Sequence, residues 1–121
     1  MARRFTILVV EDDSAVRDLV VRMLSERGFG VVAASDGYEA LRILAENRPI
    51  DVLFADIVMA GIDGVQLAKQ AKLMRPEIKV LFATGYVQKA NERGAVRVGR
   101  VLYKPLREVE VVGAVQAVLA A

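Results

Sequence analysis

Five residues carry the groups needed for one chemistry, provided the chain gathers them: Asp12, Asp13, Asp56, Thr84 and Lys104. Each stands at the end of an apolar run. Ile7-Leu8-Val9-Val10 stops against Glu11-Asp12-Asp13, and Val52-Leu53-Phe54-Ala55 stops at Asp56. Val80-Leu81-Phe82-Ala83 ends in Thr84, and Val101-Leu102-Tyr103 ends in Lys104-Pro105. Crowded carboxylates raise one another's pKa and call for a cation. The chain has no histidine and no cysteine, so the usual general base, thiol chemistry and soft metal sites are all absent. A hard, oxygen-loving ion remains, and Mg²⁺ suits a site of a few carboxylates, waters and phosphate oxygens. A hydroxyl and an ammonium complement phosphate oxygens. Together these groups make a phosphoryl-transfer site with an aspartate as nucleophile.

The elements that must position them alternate in kind. Strands are predicted at Thr6–Val10, Gly30–Ala34, 51–55, 79–83 and Arg100–Tyr103, from short apolar runs that do not alternate with polar residues. Between them, apolar residues recur at helical spacing. The predicted helices cover 14–27, 37–47, Gly64–Met74 and about 106–119, with Asp36 and Glu39 spaced like a capping box and Asp63-Gly64 as turn and cap. Residues 87–99 have poor periodicity and contain Gly94, so the fourth helix is predicted to be short or irregular. Continuous apolar strands alternating with helices indicate a parallel sheet covered on both faces. Five such units fit a flavodoxin-like doubly wound α/β fold with strand order 2-1-3-4-5, in which ligands gather at the strands' carboxyl ends.

At 121 residues, 55% hydrophobic and 26% charged, the chain has the size and composition of one domain, 1–121. No apolar run reaches the length of a membrane span, and no signal peptide is evident; a cytoplasmic location is the expectation. The net charge of +2 is scattered, which argues against direct nucleic-acid binding. The pair Arg3-Arg4 reads as a solvated tail.

Four motifs in order, "ILVVEDD", "LFADIVMAGIDG", "VLFATGY" and "LYKP", make the chain resemble the response-regulator receiver domain of two-component phosphorelay signalling, over essentially its whole length. The resemblance implies that Asp12 and Asp13 ligate Mg²⁺, together with Asp56 and the backbone carbonyl of Val58. It implies that Asp56 accepts a phosphoryl group from a sensor histidine kinase or phosphotransfer protein, that Lys104 pairs with the phosphoryl oxygens, and that Thr84 swings in to hydrogen-bond one of them. It also implies a cis Lys104-Pro105 peptide and a conformational switch acting on a partner or attached output. Glu11 is read as a neighbour of the metal shell. Taken alone, Asp12 and Asp13 would equally suit the N-terminus of a helix.

The chain departs from the family pattern in two places. Ala60 stands where a proline is usual, and Val101 occupies the usual position of the aromatic switch residue. Val58 and Tyr86 would flank an attacking water without orienting it, so slow autodephosphorylation is expected. The apolar last helix, with Val111, Val112, Val115 and Val118, suggests an interface for a downstream protein or a homodimer on the face of the fourth helix, fifth strand and fifth helix. A small Mg²⁺-dependent aspartyl-phosphate phosphatase is the alternative, but it would need a second acid where Val58 stands.

Overall fold

Each apolar run becomes a strand of one parallel sheet in the computed structural model, which describes residues 4–121. The order along the chain is β1 (Thr6–Val10), α1 (Ser14–Ser25), β2 (Gly30–Ala34), α2 (Gly37–Ala45), β3 (Val52–Asp56), α3 (Gly64–Met74), β4 (Lys79–Thr84), α4 (Val87–Glu92), β5 (Arg100–Tyr103) and α5 (Glu108–Ala120). The strands lie in the order β2-β1-β3-β4-β5, all parallel, as the continuous apolar pattern predicts.

Why the strands are apolar throughout is visible in the packing. Successive side chains point to opposite faces, and both faces are buried. Ile7, Val9, Val52, Phe54, Leu81, Ala83 and Leu102 pack under α1 and α5. Leu8, Val10, Leu53, Ala55, Val80 and Phe82 pack under α2 and α3.

The boundaries of β3 and β4 shift toward the carboxyl end, so Asp56 and Thr84 are the last residues of their strands. Asp51 directly precedes β3, and its carboxylate accepts the Thr6 N–H at 2.8 Å. After Asp56 the chain returns at once into α3. A Cβ on Gly64 would collide with the Asp56 carbonyl oxygen, so glycine lets α3 begin this close to the strand end. Asp63 caps α3 in a reciprocal box with Gln66. At α2, Asp36 caps Glu39 N–H, but the Glu39 carboxylate turns to Ser35 N–H instead of closing the expected box.

The fourth helix is a single short piece, stopped at Gly94 (φ 65°) and followed by a 3-10 turn, Ala95–Arg97. Only Ala90 of α4 is buried, so little apolar area holds it. One expectation is corrected at α5. Val111, Val112 and Val115 are buried against the sheet and Val118 packs beside them; these valines are core, and only Val109 is left strongly exposed. Arg3 lies outside the described residues, and Arg4 is not simply solvated, since its guanidinium donates to the Phe29 carbonyl at 3.2 Å. Among the described residues, no helix is long and apolar enough to cross a membrane.

Candidate functional site

The carboxyl edge of β1, β3 and β5 delivers an acid, an acid and a lysine to one point. Lys104 Nζ donates to Glu11 Oε1 at 2.7 Å and to Asp56 Oδ2 at 3.1 Å. Strand alternation explains the meeting. Glu11 continues the row Ile7, Val9; Asp56 continues Val52, Phe54; and Lys104 follows Leu102 by two. All three therefore emerge in the layer that faces α1 and α5. Glu11 and Asp56 are only 4% and 6% exposed.

Asp12 completes the group: carboxylate oxygens of Glu11, Asp12 and Asp56 all lie within 4.8 Å of one another. Three carboxylates against one lysine leave two formal negative charges, which one divalent cation would balance. Every donor is a hard oxygen. The residues therefore fit a Mg²⁺-type ion.

Two sequence-based expectations change here. Asp13 is not in the group: it is the N-cap of α1, where its Oδ1 accepts the N–H groups of Ala15 at 2.9 Å and Val16 at 3.1 Å. Helix capping captures the carboxylate because the first amides of α1 have no other acceptor. Glu11, read as a bystander, is the buried partner of Lys104, and its other oxygen accepts the Asp13 N–H at 3.1 Å. The period-two alternation carried that signal, since Glu11 falls on the Ile7/Val9 face of the sheet, the face to which the rows ending in Asp56 and Lys104 also belong.

Thr84 is fully buried and adjacent, but its hydroxyl is engaged locally, accepting Tyr86 N–H at 2.9 Å and donating to the Tyr86 carbonyl at 3.5 Å. It belongs to the opposite strand parity, with Val80 and Phe82. The Lys104 N–H donates to the Thr84 carbonyl at 2.8 Å, which fixes the two backbones side by side. Val58 N–H donates to Asp56 Oδ1 at 3.3 Å. Lys104-Pro105 is cis. Val101 packs against the core, while Tyr86 and Tyr103 are exposed.

Partial burial, then the hydrogen bond and negative charge of Glu11, hold Asp12 above the ordinary carboxylate range. A raised carboxyl pKa means that ionised Asp12 opposes folding, and this cost disappears as pH falls through the raised value. Asp12→Asn is therefore expected to raise the thermal midpoint of the metal-free protein at neutral pH while weakening Mg²⁺ binding by roughly tenfold or more. Thermal unfolding in EDTA and in Mg²⁺ measures both; a lowered metal-free midpoint would contradict the electrostatic account.

A doubly wound parallel sheet with acids and a lysine converging at its carboxyl edge defines a class of signalling domain. The model of the response regulator receiver domain matches residues 7–116, and the chain belongs to that family, the receivers of two-component systems. It is 34% identical over 117 residues to the response regulator receiver protein CpdR of Brucella abortus, covering 95% of this chain and 97% of that protein. It is 40% identical over 89 residues to the sensor kinase CckA of the same organism, covering 73% of this chain but 9% of CckA. Among solved structures, a response regulator receiver protein from Sinorhizobium medicae superposes with a TM-score of 0.89 at 27% identity, covering 98% and 97% of the two chains. The response regulator TrrA from Thermotoga maritima, in complex with Mg(2+)-BeF, gives 0.84 at 26% identity, covering 94% and 98%.

Proposed function

We propose that this chain, over residues 1–121, is a phospho-accepting receiver in which Asp56 takes a phosphoryl group from a sensor histidine kinase or phosphotransfer protein. The observation that carries this reading is Lys104 bridging Glu11 and Asp56 within a cluster of three carboxylates. A carboxylate oxygen of Asp56 attacks phosphorus, the bond from phosphorus to the donor nitrogen breaks, and the leaving imidazole keeps the electron pair and takes a proton. Glu11, Asp12 and Asp56, with the Val58 carbonyl, would hold Mg²⁺, which supplies charge neutralisation for the phosphoryl oxygens. Lys104 is already at Asp56 and transfers its contact to a phosphoryl oxygen. Thr84 gives up the long bond to the Tyr86 carbonyl and donates to another.

That exchange alters the strand-to-helix turn at Tyr86, which starts α4. Because α4 buries so little, it is the part of the molecule that yields. Phosphorylation adds about −1.5 to −2 charge, and the altered α4–β5–α5 face would then select a downstream protein or a second copy. The reading implies a cytoplasmic protein. The complex of TrrA with Mg(2+)-BeF supports using that analogue as a probe. Incubation with Mg²⁺ and acetyl phosphate, followed by intact-mass measurement, should add one phosphoryl group; no addition, with no spectral change in beryllofluoride, would overturn the reading.

The phosphoryl lifetime is a second measurable consequence. The Val58 side chain offers no polar group, and the exposed Tyr86 would flank the approach. The Val58→Asn, Tyr86→Glu double variant is expected to lose its phosphoryl group about tenfold faster or more, the gain typical of positioning a reacting water. Decay at the wild-type rate would remove this explanation.

A further inference from the structure

Arg17 lies outside the acid cluster, in the first turns of α1, yet its Nη1 donates to the Glu11 carbonyl at 2.8 Å. That carbonyl stands one residue beyond the end of β1. On the amide side the chain is still tied to the sheet, since Glu11 N–H donates to the Ala34 carbonyl at 3.1 Å. On the carbonyl side Arg17 supplies the tie. The peptide that it grips joins Glu11 to Asp12, and these two carboxylates take different paths: Glu11 inward to Lys104, Asp12 outward toward the open side of the cluster. Rotation of this one peptide would redirect both.

The remaining bonds of the turn do not do this job. Asp13 carbonyl accepts Arg17 N–H at 2.9 Å and Asp13 carboxylate caps α1, which fixes residues 13–17 as helix. Glu11 Oε2 accepts Asp13 N–H at 3.1 Å and ties a side chain across the turn, while the bond to the carbonyl of the Glu11-Asp12 peptide itself comes from Arg17. A guanidinium suits the role, because its planar donor fork gives directional bonds and stays charged at any working pH. Its positive charge also stands behind a peptide that carries two acids.

We infer that Arg17 is a positioning residue for the cation site, orienting the Glu11-Asp12 peptide so that both carboxylates converge with Asp56. The inference rests on the receiver reading above and adds to it a residue that touches neither the cation nor the phosphoryl group. Partners around a ligand set typically account for 10–100-fold in metal affinity. Arg17→Gln is accordingly expected to weaken Mg²⁺ binding roughly tenfold, and Arg17→Lys, which keeps the charge and one donor, to recover part of that loss.

The test titrates Mg²⁺ into wild type, Arg17→Gln and Arg17→Lys, followed by amide NMR shifts at a temperature where circular dichroism shows all three folded. Initial rates with acetyl phosphate are then measured against Mg²⁺ concentration. The expected signature is a shifted half-saturating Mg²⁺ concentration with the maximal rate kept within about twofold of wild type. A docking role toward a protein donor would leave this small-donor titration untouched, and would overturn the inference. So would a fall in maximal rate that persists at saturating Mg²⁺. If wild type itself binds no Mg²⁺, the receiver reading fails with it; if wild type binds and Arg17→Gln binds equally well, only the role of Arg17 fails.

Discussion

Asp56→Asn is expected to abolish phosphoryl incorporation from acetyl phosphate in Mg²⁺, to below detection by intact mass, while the chain stays folded. The amide oxygen is too weak a nucleophile to form the acyl phosphate. Two other acids remain in the cluster, Glu11 and Asp12, so the variant also asks whether position alone decides the acceptor. Glu11 is held by Lys104 at the shorter distance and by the Asp13 N–H. Asp12 lies on the exposed rim. Neither stands where Asp56 does, at the end of the central strand β3 with the Lys104 ammonium on one oxygen and the Val58 N–H on the other. Folding should survive, because Lys104 keeps its shorter bond, to Glu11 at 2.7 Å. Modification of Asp56→Asn to the wild-type extent would place the acceptor elsewhere and sink the proposed chemistry.

The largest stability effect is expected at the lysine. Lys104→Met leaves Glu11 and Asp56, both buried, facing each other and Asp12 without a cation. Removing one side of a buried pair typically costs about 3–5 kcal/mol, a large share of the roughly 5–15 kcal/mol that holds a domain together. Mg²⁺ should restore part of it. A ligand at 100 times its dissociation constant contributes about 2.7 kcal/mol, so denaturant unfolding of the variant should depend on Mg²⁺ more steeply than that of wild type. Lys104→Met combined with Glu11→Gln should be less destabilised than the separate losses predict, since the two groups are coupled. A metal-free Lys104→Met variant as stable as wild type would show that the lysine contributes nothing to holding the acids.

The same lysine sets an alkaline limit. Burial by itself would lower its pKa, but the hydrogen bonds and charges of Glu11 and Asp56 outweigh burial and raise it above the ordinary value of 10.5. A lysine raised on folding stabilises fully below its unfolded pKa, and the contribution is lost only as pH rises through the higher folded value. Around neutrality the bridge is therefore constant with pH, and acid-side changes come from carboxyls such as Asp12.

What the sequence determined alone was the scaffold and the polar side chains that end its strands. Short unbroken apolar runs alternating with helical periods pointed to strands covered on both faces, and a chain without histidine or cysteine had only oxygen donors and lysine to work with. Asp56, Thr84 and Lys104 were legible because each ends an apolar run. The weakness of the fourth helix was legible in Gly94. The tertiary structure decided how the three consecutive acids divide. All three have nearly the same intrinsic chemistry, so the sequence could not rank them once a helix start and the lysine at the sheet edge competed for carboxylates. Strand parity turned Glu11 inward to Lys104, the unpaired amides of α1 took Asp13, and Asp12 was left at the rim beside Asp56. It decided α5 as well: its valines look spare in a helical projection, and only their contact with β-strand side chains makes them core. Such outcomes depend on which neighbour arrives from a distant part of the chain, and residue 104 reaching residue 11 is the clearest case.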